Sequence, residues 1–480
     1  MAVRDRVPRD RVPIGGTVAQ LSSEEEAVFN RLEQELSQAQ PGFDLADRYY
    51  DGLQRLEQLG LAIPPELQRF TVVVNWNLIA VDALHERISI KGFKLPGAES
   101  GDDELWRVFR ANNLPAQSRL GFLDALVYGR SYYCVGENED DPRTPRVTVE
   151  SPREVITERD HRTGKVRAAL RLYDVVNGRA TAATLYLRDE TIWLTSDGGG
   201  WEITDSDEHG LGMVPVVPVF HRRRLTIPTH RTTQGVSEMA PLIPIVDAAA
   251  RNITNAQLAQ ETHAVPQRGV IGASKGDFMD AEGQPLPVWE AYFGAVWAIT
   301  NPQAKHFQFD SSSMDNFERM MNLYARMASG VSGLPASYFG LAADDAASAD
   351  AIRSREARLV KRAELCGENF GDPTADMTKL VMRIRDGVWD PEVNLVETLW
   401  NDPATPTRAQ QADAIVKLYQ AADDRGRPLL PAEMAYEELG WGPEKIKRAL
   451  AMRERDASDP QLERITRTFQ DVTAAAGRGE

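Results

Sequence analysis

Residues 330–352 read GVSGLPASYFGLAADDAASADAI and separate two strongly helical patterns. Upstream, apolar side chains recur every three or four residues from Met314 to Met327, as on one face of a helix. We expect Gly330 and Gly333 to end that helix, because glycine readily adopts the left-handed backbone found at helix ends. The small and acidic residues 334–349 then predict a loop.

A second helical pattern follows this loop and is unusually long. Apolar residues recur at spacings of three, four and seven over 350–388. They are Ile352, Leu359, Ala363, Cys366, Phe370, Met377, Val381 and Ile384. Pro373 lies inside this pattern, and proline lacks the amide hydrogen that a helix interior uses. We therefore expect Asp372-Pro373 to kink or split the helix.

The first half of the chain changes from helical to strand periodicity at Gly129. The charged repeat RDRVP occurs twice near the N-terminus and predicts a disordered arm. Helical patterns then cover 22–61, 64–88, the region around 105–109, and 116–128. Beyond Gly129, short β-branched and aromatic runs separated by turn residues predict an antiparallel β region. These runs lie at 131–135, 146–149, 165–173, 183–187, 191–194 and 214–220.

Helices return in the second half of the chain. Residues 241–262 carry one apolar stripe, whereas 266–310 are rich in aromatic residues and mixed in pattern. We interpret 266–310 as a small α/β insertion between two helices. From Trp389 onward the pattern is helical with proline and glycine breaks. Together these patterns predict an α+β fold that is mainly α.

Composition excludes several classes of protein. The chain has 55 basic and 71 acidic residues and a formal charge of −16, whereas proteins that grip nucleic acid are usually basic. Two cysteines rule out a disulfide framework. The apolar run 213–220 is broken by two prolines and is far shorter than the ~20 residues of a membrane span. The charged N-terminus lacks the apolar core of a signal peptide, so we expect assembly in a cytoplasm without a membrane.

Sequence motifs for catalysis are missing. The chain contains no phosphate-binding glycine loop, no His-Glu-x-x-His, no Cys-x-x-Cys and no nucleophile elbow. Its seven histidines lack metal-ligand spacing to one another. The sequence therefore predicts no catalytic, cofactor-binding or metal-binding residues. A nuclease-like enzyme that uses scattered carboxylates and a metal ion is one alternative.

Two basic clusters each have two interpretations. Arg222, Arg223 and Arg224 follow the last predicted strand and form either a solvated loop, with His221 beside it, or a surface for phosphate or an acidic partner. The long helix has five basic residues against Glu356 within ten positions, either as a solvated face or as a contact between subunits. The methionine-rich pattern at 314–327 is interpreted as core packing.

The order of these elements resembles the portal proteins of tailed phages, especially those of siphophages of actinobacteria. The motifs that carry the resemblance are GLPASYFG at 333–340, ASADAI at 347–352 and WNDPATPT at 400–407. Supporting motifs are QSRL at 117–120, YGRS at 128–131 and Ser151-Pro152. The resemblance covers about residues 40–455.

The resemblance implies a portal fold with wing, stem, clip and crown regions around a central channel. Twelve copies would form a ring at one capsid vertex of the virion, and double-stranded DNA would pass through it without sequence specificity. Expected partners are the terminase large subunit, the head–tail adaptor, and the major capsid and scaffold proteins. The implied regions are an arm at 1–21, wing at 22–240, stem helices at 241–265 and 311–333, clip at 266–310, tunnel loop at 334–349, long kinked helix at 350–388, helical crown at 389–456 and tail at 457–480.

The resemblance also implies three sets of functional residues. Channel or tunnel-loop candidates are Leu334, Pro335, Tyr338, Asp344, Asp345, Ser348 and Asp350. Subunit-contact candidates are Arg353, Arg355, Arg358, Lys361 and Arg362. Clip docking candidates are Trp289, Tyr292, Phe293 and Trp297. Because the loop has no lysine or arginine, we expect it to pass DNA rather than clamp it. Another virion head or adaptor component is the second alternative, against which the length and element order argue.

Overall fold

The computed structural model of this chain combines helices with several antiparallel sheets, as expected of an α+β fold, and helices make up the larger part of the described secondary structure. It describes residues 20–54, 72–98, 101–224, 235–263, 268–271, 305–308, 314–341, 349–389, 391–404, 415–421, 429–439, 441 and 443–457. Two compact units divide the chain, the first ending at Pro403 and the second beginning at Ala404.

The first helix, α1, spans Ser23–Tyr50 and ends earlier than the predicted residue 61. Its start is fixed by a capping box, in which Glu25 N donates to Ser22 Oγ and Ser22 N donates to Glu25 Oε2. After Tyr50 the chain turns through Gly52 at φ +71°, a left-handed conformation that ends the helix. The buried face consists of Phe29, Leu32, Leu36, Phe43, Ala46 and Tyr49.

Helix α2 spans Trp76–His85, although the sequence predicted a helix from residue 64. Asn75 caps it, since its side chain accepts a hydrogen bond from Leu78 N at 3.3 Å. Strand β1 follows at Ile90–Lys94, then α3 at Asp103–Ala111 and α4 at Leu114–Tyr128. Helix α4 ends at Gly129, where a Cβ atom would lie 2.7 Å from Val236 N, so only glycine fits this close approach.

The predicted antiparallel β region is confirmed and forms two sheets. The three-stranded sheet has the order β3-β2-β9, with β2 at Arg130–Gly136, β3 at Arg146–Glu150 and β9 at Val216–Phe220. The five-stranded sheet runs in sequence order: β4 at Val155–Arg159, β5 at Val166–Val176, β6 at Arg179–Tyr186, β7 at Thr191–Thr195 and β8 at Glu202–Asp207. Strands β4 and β8 were missed because both lie at sheet edges and carry many polar residues.

Helix α1 covers one face of the five-stranded sheet. Its side chains Phe29, Leu32 and Leu36 form a core with apolar residues of the sheet. Those sheet residues are Ile156, Ala168, Leu170, Ala183, Leu185, Ile192 and Leu194. A small cluster around Tyr132 and Val155 joins the two sheets to each other.

Three further helices lie where the sequence predicted them. They are α5 at Ile243–His263, α6 at Asp315–Ser332 and α7 at Ala349–Asp386. Helix α7 contains 38 residues, is roughly 57 Å long at about 1.5 Å per residue, and passes through Pro373 without being split. Of the predicted 266–310 insertion, the described part is an antiparallel pair, β10 at Arg268–Ile271 and β11 at Lys305–Gln308.

The helical pattern with proline and glycine breaks that was expected from Trp389 onward did not predict a strand that the structure contains. Strand β12, Glu397–Trp400, pairs antiparallel with β1, so that Ile90 lies opposite Trp400 and Lys94 opposite Glu397. The indole of Trp400 lies against Gly367 and Gly371 of α7, where added Cβ atoms would approach it to 3.4 and 3.3 Å. Since side chains larger than hydrogen would crowd this ring, the two glycines position the strand on the long helix.

The main core lies between α7, the helices α2 to α5 and the three-stranded sheet. The rings of Phe370 on α7 and Phe122 on α4 stack, with centroids 5.0 Å apart and planes 10° from parallel. Trp400 packs on the same Phe122 at 5.6 Å. Phe370 is fully buried, so it is at the centre of the packing between the long helix and the rest of the first unit.

In the second unit, the described helices are α8, Ala432–Glu438, and α9, Pro443–Ala457, with a further helical stretch at 415–420. Tyr436 and Trp441 stack with centroids 4.8 Å apart. Lys445 Nζ lies 3.9 Å from the centroid of the Trp441 ring, a cation–π contact.

Replacing Phe370 with alanine is expected to lower the free energy of unfolding by about 3–5 kcal/mol, because it leaves a cavity in the main core. Denaturant titration followed by circular dichroism measures this. Leu120→Ala on the exposed face of α4, where the side chain is 57% exposed, is the control and should change stability by about 0.5 kcal/mol or less. Equal effects of the two substitutions would contradict the assigned core.

Candidate functional site

Helices α5 and α6 pack on each other next to the main core. Asn252 Nδ2 on α5 donates to the Phe317 carbonyl on α6 at 2.9 Å. On α6, Met321 and Tyr324 pack against the main core, and Ala325 and Ala328 are buried in it. This contact fixes one face of α6 toward the core.

Another face of α6 is apolar and exposed, which corrects the interpretation of its methionines as core residues. Met320, Leu323, Met327 and Val331 follow one another at intervals of three or four residues and are 38–47% exposed. Met314, at the start of the helix, is also exposed. The methionine-rich pattern in the sequence therefore predicts the helix but not which of its faces is buried.

The turn that decides the fold, Gly333–Gly340, is anchored in the core. Gly333 has φ +73° and ends α6. Leu334 is 2% exposed, and Phe339 packs edge-on against Trp76 at 5.6 Å. Residues Ala336–Phe339 form a short 3-10 helix within this turn.

The channel candidates therefore differ in how far they are buried. Leu334 is buried in the main core and offers no surface to a channel in this conformation, because its contacts are with the helices around it. Pro335 precedes the 3-10 helix and is partly exposed, and Tyr338 packs against the core with part of its surface open. Asp350 lies in the first turn of α7, which is described here by its backbone. Asp344, Asp345 and Ser348 lie outside the described residues.

The five basic candidates of α7 differ in their contacts. Arg355 is exposed, and Arg353 is described by its backbone alone. Arg358 lies across Gly333 and donates from Nη1 to the Gly330 carbonyl at 3.1 Å. Its positive charge therefore lies at the C-terminal end of α6, where a helix favours cations. Lys361 pairs with Glu364 at 2.7 Å within the helix.

The structure corrects the prediction for Arg362, because its charge is paired with a carboxylate of the same chain. It donates to the carboxylate of Glu238, a residue with no exposed surface. The same carboxylate accepts from His221 Nε2 at 2.9 Å and from Arg222 Nη2 at 3.3 Å. Arg362 is only 17% exposed and is not available as a contact to another subunit.

The group formed by His221, Arg222, Glu238 and Arg362, here called the Glu238 cluster, joins three parts of the fold. His221 N donates to the Gly129 carbonyl at the end of α4, and Glu238 N donates to the Leu126 carbonyl. Arg362 comes from the long helix. The cluster therefore ties the end of β9, the end of α4 and the middle of α7 to one buried charge.

Burial and neighbouring charges shift the pKa values of the ionisable groups in and beside the Glu238 cluster. Burial by itself would raise the pKa of Glu238, but the hydrogen bond from His221 and the two arginine charges lower it below its ordinary value. Burial lowers the pKa of His221 and keeps the ring neutral. With Nε2 donating to Glu238, Nδ1 is free to accept from the Cys366 thiol, whose Sγ lies 3.9 Å away. Burial raises the pKa of this thiol to about 12.

No motif or residue spacing in the sequence predicts the Glu238 cluster. Both interpretations of the basic cluster, a solvated loop and a surface for phosphate or an acidic partner, place His221 and Arg222 at the surface. In the structure His221 is 3% exposed and Arg222 pairs with Glu238. Glu238 stands in a segment of turn residues, SEMAP, that carries no periodic pattern. Arg362 and Glu238 are 124 positions apart, so only the tertiary fold brings them together.

The clip docking candidates Trp289, Tyr292, Phe293 and Trp297 lie outside the described residues. Within the described ranges, no group of three or more His, Cys, Asp or Glu side chains is arranged to hold a metal ion. Among the helices described above, none has the length and apolarity to cross a membrane.

Residues 30–457 match the family model of phage portal proteins of the SPP1 Gp6-like type. The portal protein of Mycobacterium phage D29 is 36% identical over 405 residues, which cover 82% of this chain and 81% of that protein. The portal protein of Mycobacterium phage L5 is 36% identical over 433 residues, covering 87% and 86% of the two chains. The chain belongs to the phage portal protein family. This family is structural rather than enzymatic, so the nuclease-like alternative is set aside.

Solved structures similar to this chain come from a gene transfer agent. A chain of the native gene transfer agent virion has a TM-score of 0.42 at 15% identity, over 84% of this chain and 94% of its own length. A chain from the neck of the native particle, computed with C12 symmetry, has a TM-score of 0.38 at 15% identity, over 76% and 89% of the two chains.

Replacing Glu238 with glutamine is expected to lower the free energy of unfolding by about 3–5 kcal/mol, because it leaves the buried cationic partner Arg362 without its counter-charge. Denaturant titration measures the loss. Glu364→Gln removes a single exposed ion pair with Lys361 and should cost at most about 0.5 kcal/mol. The cluster has no anchoring role if both variants are as stable as the parent.

Stability should also fall as the pH is lowered from about 7 to 5. The ordinary pKa of histidine is near 6.5 and that of folded His221 is lower, so the unfolded chain takes up the proton first. The contribution of His221 is therefore complete above pH 6.5 and is lost below it. His221→Gln keeps a hydrogen-bond donor without the titration, and its unfolding free energy should fall less over this pH range. If the unfolding free energies of the parent chain and the His221→Gln variant fall equally over this range, His221 is not the group that causes the pH dependence.

Proposed function

We propose that this chain is the portal subunit of a tailed double-stranded-DNA phage and that its copies close into a ring of twelve at one capsid vertex. The match to the portal family over residues 30–457 carries this proposal. The other virion components considered above do not account for a match over most of the chain. DNA would enter through the ring during packaging and leave through it during ejection.

The regions of the subunit follow from the order of the elements. We assign α1 to α4 and the two large sheets to the wing, α5 and α6 to the stem, and 266–310 to the clip. The tunnel loop would then lie at 334–349, and its first residues, Leu334 to Phe339, are anchored in the core. The long helix joins stem to wing. The crown begins at Ala404 rather than at residue 389, because β12 belongs to the first unit.

The partners are proposed from the same assignment. The clip, with its aromatic residues, would contact the terminase large subunit and later the head–tail adaptor. The wing would contact the major capsid and scaffold proteins. The assembled ring would be a virion component built in the host cytoplasm. The acidic residues of the tunnel loop would keep DNA phosphates from binding tightly, since like charges repel within a Debye length of about 8 Å.

Electron microscopy and native mass spectrometry of the purified full-length chain test the ring directly. We expect closed rings of twelve copies with a central channel, and weak, sequence-independent binding of double-stranded DNA that weakens further with salt. A chain that stays monomeric at high concentration, with or without scaffold protein, would overturn the proposal.

Reversing the charge of the tunnel loop tests its role. Asp344→Lys with Asp345→Lys should slow or stall DNA packaging, because cations in the channel bind passing phosphates. Packaging assays in vitro measure the rate. Asp197→Lys with Glu202→Lys, two exposed residues near the β7–β8 turn, make the same charge change away from the loop. Normal packaging by the loop variant would show that the loop does not face the DNA.

A further inference from the structure

The exposed face of the long helix α7 is divided by charge. Its first half presents Arg355, Arg358 and Lys361 to solvent. In its second half the acidic residues follow one another at intervals of four and therefore lie along one side of the helix. They are Glu364, Glu368, Asp372 and Asp376.

A groove of about 600 Å³ runs between the acidic half of α7 and strand β12. Gly367 and Gly371 line it beside the indole of Trp400, and the absence of side chains at the glycines keeps it open. Glu368 and Asp372 from the helix and Glu397 from the strand line it, together with Arg87, whose charge is paired with Glu356. The groove thus combines an apolar surface with carboxylates on either side.

Several charges around this face already have partners in the same chain. Arg362 pairs with Glu238, Glu356 with Arg87 at 3.2 Å, and Asp376 with Lys379 at 2.8 Å. In contrast, Glu368, Asp372 and Glu397 form no ion pair within the described part of the chain, and neither do Arg355 and Arg358. The helix therefore carries two arginines without a carboxylate partner in its first half, although Arg358 also donates to the Gly330 carbonyl. Beside the groove it carries carboxylates without a cationic partner.

We propose that this face is a contact between neighbouring copies of the chain, in which Arg355 and Arg358 of one copy bind the acidic groove of the next. The inference rests on the proposed ring. The two patches are different surfaces of the same subunit, and contacts of this head-to-tail kind close into rings. Each copy has a formal charge of −16, so adjoining copies repel unless opposite charges meet locally.

The chemistry of the groove favours this occupant over DNA. Guanidinium groups bind carboxylates through paired N–H···O hydrogen bonds and lay their planar faces on aromatic rings, and the groove offers both carboxylates and Trp400. Phosphates would instead be repelled by the carboxylates along its two sides. The proposal therefore assigns a partner surface to Arg355 and Arg358 and removes Arg362 from the predicted contact set.

Charge reversal tests the contact, with ring fraction measured by native mass spectrometry and sedimentation. Arg355→Glu with Arg358→Glu should lower the ring fraction at least tenfold, and so should Glu368→Lys with Asp372→Lys. A chain that carries all four substitutions has the complementary charges exchanged and should recover most of the ring. Arg162→Glu and Glu35→Lys, exposed residues on other elements, are controls and should assemble like the parent chain.

Separate outcomes distinguish this inference from the proposed function. If the parent chain forms no ring, the proposed function itself fails. If the parent forms rings and either one-sided variant does too, the contact is elsewhere. The melting temperatures of all variants are also compared, because a variant that no longer folds would lose the ring without any change at the contact itself. If the chain with Glu368→Lys and Asp372→Lys melts several degrees lower as a monomer, the groove binds a segment of its own chain, which also overturns the inference.

Discussion

The carboxylate of Glu238 has no exposed surface and accepts hydrogen bonds from two arginines and a histidine. Burying such a charge costs several kcal/mol unless partners with good geometry surround it. Here the partners come from β9 and from α7, while backbone hydrogen bonds attach the same segment to the end of α4. Because α7 cannot turn or slide without withdrawing Arg362, its register on the first unit depends on this one charge.

Other contacts of the long helix follow from that register. Phe370, two turns beyond Arg362, stacks on Phe122 of α4. Arg358, one turn before Arg362, lies across Gly333 at the end of α6. The arginine across the glycine, the buried cluster and the aromatic stack lie within about four turns of the helix, so α7 is held to the strands, to α4 and to α6 along a single stretch.

Much of the helical architecture could be predicted from sequence, because apolar spacing in α5, α6 and α7 is strong and glycines mark the ends. The central strands were also predictable from their β-branched runs. Edge strands β4 and β8 were not, since polar residues on an exposed strand give no alternating pattern. Strand β12 was missed because its pairing with β1 joins residues some three hundred positions apart. The spacing of apolar residues does not show which face of α6 packs on the core. It also does not show that Arg362 forms an ion pair with Glu238.

The pairing of β12 with β1 determines how tension on the C-terminal unit would enter the molecule. The second unit begins at Ala404, four residues after Trp400, so β12 is its covalent attachment to the first unit. A pull on that unit is borne first by the hydrogen bonds between β1 and β12 and by the indole resting on Gly367 and Gly371. Only after this short ladder yields would the force reach the long helix. Movements of the chain that follows β12 would therefore act on this short ladder before they act on the register of α7.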